Sequence, residues 1–235
     1  MQPFVESVVP IAEEIFFPSH GVRLHGELVY PEKDRVIGAA VIAGPHPLLG
    51  GNMHNNVVRG IGDALAQRQV VTLRFNYRGV GRSDGPRMDV IGHLAEFWKT
   101  SHVPEEMDLW QDVQGAIDFV RQAAGADLPL ALIGYSFGCV LLPRAQLAVG
   151  SPALILLAPT IAKHDYDSYL ALENPKLIIA SEDDFASDAA RLQGWFDKLR
   201  APKRLIQKRF DNHFFRGHEA WLADVVFDFL RDQWR

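Results

Sequence analysis

The chain has 235 residues, of which 48% are hydrophobic, one cysteine and a formal net charge of -5 at pH 7. Its length and hydrophobic content suit one folded domain over residues 1–235 and argue against a disordered chain. The negative charge and the lack of lysine- or arginine-rich blocks argue against nucleic acid as a partner, and a single cysteine excludes an internal disulfide framework.

The sequence has no features of a secreted or membrane-spanning protein. Its first residues lack the basic region and the long apolar core of a signal peptide. No apolar run approaches the roughly 20 residues that a bilayer-spanning helix needs. We therefore expect a soluble, cytoplasmic protein with no membrane partner.

Short apolar segments alternate along the chain with segments whose apolar residues recur about every 3.6 positions. The predicted strands are 13–19, 22–31, 37–44, 70–76, 129–134, 153–159, 176–181 and 203–208. The predicted helices are 55–69, 108–124, the segment after Ser136 to about Val149, 187–200 and 217–234. Strands that alternate with helices imply right-handed crossovers. We therefore predict an α/β fold: a mostly parallel central sheet of about eight strands, flanked by helices on both faces, with little or no cap domain.

Residues 88–107 are more than a simple strand-to-helix connection needs. We interpret them as an inserted flap in which Phe97 and Trp98 line a pocket, and an ordinary packed loop is the alternative. A homodimer contact through exposed aromatic residues of this segment is a further hypothesis.

One serine stands between two glycines where a buried strand ends, in the sequence Gly134-Tyr135-Ser136-Phe137-Gly138. A strand–serine–helix turn is typical of a nucleophile elbow, which places the hydroxyl at the top of a sheet. Larger side chains two residues before and after the serine would collide with the neighbouring strand and helix. The motif alone is a weak signal, and an ordinary glycine-rich turn is the alternative interpretation.

A nucleophilic serine needs a general base, and the base needs an acid that orients it. In this fold, the acid and the histidine follow later strands. His213 follows the last predicted strand and is the candidate base, whereas His164 is a weaker candidate. Asp184 is the preferred acid because a short turn separates it from its strand, and Asp183 is a close alternative.

Two backbone N–H groups are expected to bind the oxyanion that forms when the serine attacks a carbonyl. The N–H of Phe137 is the first candidate, because it lies at the start of a helix. The loop 44–51 leaves the strand beside the elbow and would supply the second donor. Its two prolines have no N–H, so His46 or Leu48 must donate.

These motifs resemble the α/β-hydrolase superfamily over nearly the whole chain. They are most similar to the small, lid-poor bacterial serine hydrolases related to dienelactone hydrolases and short-chain esterases. The stretches that carry the resemblance are GPHPLLGGNMHNNVV, LRFNYRGVGRSDG, LIGYSFG, SEDD and DNHFF. The resemblance implies a triad of Ser136, Asp184 and His213, with oxyanion donors at Phe137 and near His46. Dienelactone hydrolases use cysteine where this chain has serine.

The sequence therefore predicts a hydrolase that cleaves a carboxylic ester or thioester of a small substrate through an acyl-enzyme on Ser136. Acyl transfer and amide or peptide hydrolysis by the same triad are alternatives, as is a non-catalytic scaffold used for binding. We expect no cofactor and no metal, because the histidines lack a ligand spacing such as His-x-x-x-His with an acid.

Overall fold

The computed structural model describes residues 10–32, 35–87, 89–146, 151–210 and 213–234. These residues form eight strands: β1 (Pro10–Ser19), β2 (Val22–Pro31), β3 (Gly38–Ala43), β4 (Val70–Phe75), β5 (Leu130–Tyr135), β6 (Ala153–Leu157), β7 (Lys176–Ser181) and β8 (Lys203–Lys208). They also form six α-helices: α1 (Asn56–Ala66), α2 (Val90–Thr100), α3 (Trp110–Ala124), α4 (Gly138–Gln146), α5 (Ala189–Lys198) and α6 (Glu219–Gln233). None of the described helices combines the length and the apolar character needed to cross a bilayer.

All eight strands join one sheet, in the order β1-β2-β4-β3-β5-β6-β7-β8. The pairs β1–β2 and β2–β4 are antiparallel. The other five pairs are parallel. The predicted eight-stranded, mostly parallel sheet is therefore confirmed. The carboxyl ends of the six parallel strands from β3 to β8 lie at one edge of this sheet, where ligands bind in α/β folds.

Helices cover both faces of the sheet, as predicted. Successive residues of the central strands point to opposite faces, so Leu132 and Ile133 of β5 belong to different hydrophobic clusters. Helices α3, α4 and α5 contribute to one cluster, and α1 and α6 contribute to the other. Because both faces are buried, the strands read as continuous apolar runs in the sequence.

The segment 88–107 contains a helix that the sequence pattern did not predict. The side chain of Asp89 caps α2 by accepting a hydrogen bond from the N–H of Gly92 at 2.9 Å. Ile91, Leu94 and Trp98 recur at helical spacing but are exposed, so the apolar stripe of this helix is not buried as it is in a core helix. The predicted end of the helix after Ser136, near Val149, lies outside the described residues.

A buried carboxylate holds the loop that follows β4. Asp112 on α3 accepts hydrogen bonds from the backbone N–H of Arg78 at 2.7 Å and from its guanidinium Nε at 2.9 Å and Nη2 at 2.7 Å. In the same loop, the hydroxyl of Tyr77 donates to the carbonyl oxygen of Gly44 at 3.0 Å. These contacts join the loops after β3 and β4 at the carboxyl edge of the sheet.

We expect Asp112→Asn to lower the free energy of unfolding by about 3 kcal/mol, because it removes the buried charge that pairs with Arg78. Urea denaturation of the variant and the wild type measures this difference. Asp118→Asn is the matched control on the exposed side of the same helix, and it should change the free energy by less than about 0.5 kcal/mol. Equal losses in the two variants would contradict the assigned role of Asp112.

Candidate active site

Ser136 directly follows β5 and has a left-handed backbone conformation, with φ of 55°. A non-glycine residue adopts this region at a cost of about 1–3 kcal/mol, and the surrounding structure must hold it there. The N–H of Ser136 donates to the carbonyl oxygen of Leu157 on β6 at 2.8 Å. The turn is therefore held against the neighbouring strand.

The two glycines around Ser136 provide the space that the turn needs. A Cβ added to Gly134 would lie 2.6 Å from the Cα of Cys139. A Cβ added to Gly138 would lie 2.1 Å from the carbonyl oxygen of Ala43. Both distances are too short for atoms that are not bonded, so any side chain would force the strand, the turn or the helix apart. The steric reason inferred from the sequence is thus confirmed.

Ser136, His213 and Asp184 form one chain of hydrogen bonds. The Nε2 atom of His213 lies 2.8 Å from the Oγ atom of Ser136. Its Nδ1 atom lies 2.8 Å from each carboxylate oxygen of Asp184. Because an ionised carboxylate only accepts hydrogen bonds, we assign the ring proton to Nδ1, which leaves Nε2 to accept the serine hydroxyl hydrogen. The side chains of His213 and Asp184 are buried.

The structure separates the candidate acids. Asp184 faces His213, and its Oδ1 atom also accepts a hydrogen bond from the N–H of Ala186 at 2.8 Å. Asp183 lies at the surface and pairs with Nε of Arg209 at 2.6 Å. The two neighbouring carboxylates therefore have different partners, and only Asp184 contacts the histidine.

Tyr135 contacts both the ring and the backbone of His213 and helps to hold it in position. Its ring stacks on the imidazole with a centroid distance of 5.8 Å, and its hydroxyl donates to the carbonyl oxygen of His213 at 3.3 Å. Burial raises the pKa of Tyr135 well above its ordinary value, so the hydroxyl stays protonated and remains a donor. This side chain is a support and not the lining of an open pocket, because it is almost fully buried.

The loop of residues 44–51, which we call the β3 loop, offers one free backbone donor next to the elbow. The N–H of Leu48 donates to Nδ1 of His46 at 3.0 Å and is therefore occupied. Within the described part of the chain, the N–H groups of His46 and Phe137 donate to no protein acceptor. The rings of these two residues are in contact, with centroids 4.5 Å apart. Of the two donors left open by the sequence, His46 is the one that remains available.

Glu106 is a buried carboxylate next to the β3 loop, and the sequence patterns did not identify it as a candidate site residue. Oε2 of Glu106 accepts hydrogen bonds from Nε2 of His46 at 3.1 Å and from the N–H of Val103 at 3.0 Å. Its Oε1 lies 2.7 Å from Nδ1 of His102 and 3.8 Å from Nε2 of His164. Burial alone raises the pKa of Glu106, but the three histidines and the Val103 N–H together hold it well below its ordinary value.

The sequence held one signal for this cluster, the four-residue spacing between His102 and Glu106. No local pattern links these residues to His164 or to His46, because the four lie in three separate segments. His164, the weaker candidate for the base, lies in this cluster and contacts the hydroxyl of Thr160 at 2.9 Å.

The comparisons with known proteins identify the family and the fold. The family model described as Serine aminopeptidase, S33 (Hydrolase_4) matches residues 46–182, more than half of the chain. A relative from Rickettsia prowazekii, the uncharacterised protein RP471, is 27% identical over 205 residues, which cover 81% of this chain and 77% of that protein.

Solved structures show the same fold. XC6422 from Xanthomonas campestris, a member of the α/β serine hydrolases without a lid, has a TM-score of 0.76 and 24% identity over 94% of each chain. Dienelactone hydrolase from Anabaena variabilis has a TM-score of 0.73 and 17% identity over 95% of this chain and 98% of that one. The fold, the elbow and the family match lead to one assignment. The chain belongs to the serine aminopeptidase S33 (Hydrolase_4) family of the α/β-hydrolase superfamily.

Proposed function

We propose that the protein is a serine hydrolase that cleaves a carboxylic ester or thioester of a small substrate through an acyl-enzyme on Ser136. The observation that carries this proposal is the continuous set of hydrogen bonds from Asp184 through His213 to Ser136. Two unoccupied N–H groups beside the serine add the donors that an acyl transfer reaction requires.

With its ring proton on Nδ1, His213 can accept the hydroxyl proton of Ser136 at Nε2. Nε2 of His213 takes the hydroxyl proton as Oγ of Ser136 attacks the substrate carbonyl carbon. The N–H groups of Phe137 and His46 bind the oxygen that becomes negative. His213 then donates the proton to the departing alcohol or thiol, and the acyl group stays on Ser136. A water molecule that His213 deprotonates then attacks the acyl carbon, the bond between this carbon and Oγ of Ser136 breaks, and His213 returns the proton to Oγ as the acid leaves. Asp184 orients the imidazole through its hydrogen bond to Nδ1.

The nearby cysteine does not compete with Ser136 as the nucleophile. Cys139 is buried, and its Sγ lies 3.2 Å from the carbonyl oxygen of Gly134. Burial raises the pKa of this thiol far above its ordinary value. The thiolate, which is the reactive form, is therefore absent near neutral pH.

The surroundings of His213 favour a substrate with an apolar group. Phe185 is 68% exposed and Phe214 is 42% exposed, and their ring centroids lie 5.0 Å and 5.6 Å from the His213 ring. Large aromatic side chains exposed next to a reactive group suit contact with an apolar partner. We therefore expect the acyl or alcohol part of the substrate to cover this aromatic rim, defined as Phe185 and Phe214.

Amide or peptide hydrolysis is the second candidate. The description of the matched family, serine aminopeptidase, favours it, and the same nucleophile, base and donors would perform it. Esters and amides differ in the leaving group, so one assay with both kinds of substrate separates the two candidates.

Ser136 is the expected nucleophile. Wild-type protein should hydrolyse p-nitrophenyl esters, and Ser136→Ala should lower kcat by about 10⁴-fold or more. A fluorophosphonate should label the wild type and not the variant. Faster turnover of aminoacyl p-nitroanilides than of esters would favour the amide candidate, and no turnover and no labelling would favour a binding scaffold.

The two adjacent aspartates, Asp183 and Asp184, are expected to differ in their effect on the reaction. Asp184→Asn should lower kcat by roughly 10⁴-fold, because an amide no longer holds His213 in the required tautomer. Asp183→Asn, its matched neighbour at the surface, should leave kcat within about twofold, since an exposed ion pair contributes little. Steady-state kinetics on one ester measures both. A larger loss in the Asp183 variant would overturn the assignment of the acid.

The aromatic rim is expected to bind the longer apolar groups of a substrate. Phe185→Ala should lower kcat/KM for p-nitrophenyl octanoate by about fivefold, which corresponds to roughly 1 kcal/mol of lost apolar contact. The acetate, which is too short to cover the ring, should change by less than about twofold. Ile11→Ala is the control, because Ile11 is an exposed residue of β1, the strand at the far edge of the sheet. Equal effects on both esters would contradict a role in substrate binding.

A further inference from the structure

We propose that His102, Glu106 and His164 form a binding site for a divalent transition-metal ion, with zinc the best match. The site joins the segment 88–107 to the loop that follows β6. It lies outside the Ser136–His213–Asp184 chain, and the proposal does not depend on the reaction assigned to that chain.

Three donor atoms converge at this point. Nδ1 of His102, Oε1 of Glu106 and Nε2 of His164 all lie within 4.8 Å of one another. Two nitrogen atoms and one carboxylate oxygen are a donor set that zinc takes in proteins, with the fourth position left for water. Donor atoms bound tetrahedrally to zinc lie about 3.4 Å apart at the usual bond lengths. The separations of 2.7 Å and 3.8 Å from Oε1 of Glu106 to the two nitrogen atoms bracket this value, and the two nitrogen atoms lie within 4.8 Å of each other.

His164 carries the strongest evidence for a ligand. Its side chain is only 7% exposed, and its Nε2 atom has no hydrogen-bond partner within the described structure. The distance of 3.8 Å to Oε1 of Glu106 is too long for a hydrogen bond. A buried polar atom without a partner is costly. A cation between this nitrogen and the carboxylate would give the nitrogen a partner.

The remaining polar atoms of the buried ligands already have partners. Nδ1 of His164 lies 2.9 Å from the hydroxyl of Thr160. Oε2 of Glu106 accepts hydrogen bonds from His46 and from the N–H of Val103. Metal ligands in proteins are oriented in this way by hydrogen bonds to the atoms that do not bind the ion. The arrangement therefore leaves Nε2 of His164 and Oε1 of Glu106 to face an ion, which would replace the present hydrogen bond between Oε1 and Nδ1 of His102.

His102 provides the route to solvent. Its side chain is 50% exposed, whereas the side chain of Glu106 is 3% exposed. An ion can therefore reach the carboxylate from the side of His102, and a rotation of this half-exposed ring would make most of the adjustment that the bond lengths require. Local spacing led the sequence analysis to expect no metal, because the third ligand comes from a different loop.

A bound ion would hold two surface segments against the β3 loop. Glu106 follows α2, and His164 follows β6. Glu106 also holds the ring of His46, whose backbone N–H is the proposed second oxyanion donor. Zinc binding should therefore stabilise the fold, because a ligand that binds only the folded state raises the free energy of unfolding.

The test is zinc titration by calorimetry after the full chain has been treated with a chelator and dialysed. We expect one zinc ion per chain, and a thermal midpoint that rises with zinc concentration. His102→Ala should weaken zinc binding by at least about tenfold. His54→Ala removes an exposed histidine outside the cluster and should leave the affinity unchanged.

Glu106→Gln is the second test variant and should also weaken binding; if it does not fold, His102→Ala, at a half-exposed position, decides the question. The proposal is wrong if the wild type binds no zinc, or if His102→Ala binds zinc as tightly as His54→Ala. Binding that persists in His102→Ala and disappears in His213→Ala would place the ion at the serine site and would equally overturn it.

Discussion

The left-handed backbone of Ser136 is the constraint on which the rest of this site depends. It exists because β5 lies between β3 and β6 in the sheet. The N–H of Ser136 is bonded to Leu157 on one side, and Gly138 packs against the backbone of Ala43 on the other. The strain is therefore balanced by pairing and packing that involve three strands. The same geometry leaves the serine hydroxyl and the N–H of Phe137 at the carboxyl edge of the sheet, where the later loops meet them.

Buried carboxylates hold those loops in place. Asp112 fixes the loop after β4 through Arg78, Asp184 fixes the ring of His213, and Glu106 fixes the ring of His46. Each carboxylate sits where loops cross the edge of the sheet, and each is paired with cationic or N–H donors, as a buried charge requires. Loops are usually the mobile parts of a fold, so these contacts explain how the loops can hold side chains at reproducible distances.

Much of the fold was predictable because its signals are local. The bounds of β7 and β8 agree with the predicted strands residue for residue. Ser136 was predictable because the glycines that its turn needs are two residues away on either side. The helix α2 was missed although Ile91, Leu94 and Trp98 recur at helical spacing, because the segment was interpreted as a flap or a packed loop; its apolar face is exposed.

The sequence by itself determined the order of the strands and helices along the chain and the position of the serine between them. These features depend on periodicity and turn residues, which are patterns of residues close together in the chain. Only the tertiary structure decided which of Asp183 and Asp184 contacts His213, since both follow the same strand and the two side chains pair with different residues, Arg209 and His213. It alone brought His164 to Glu106. That contact joins distant segments, and no pattern of neighbouring residues encodes which buried polar atoms meet when the loops pack together.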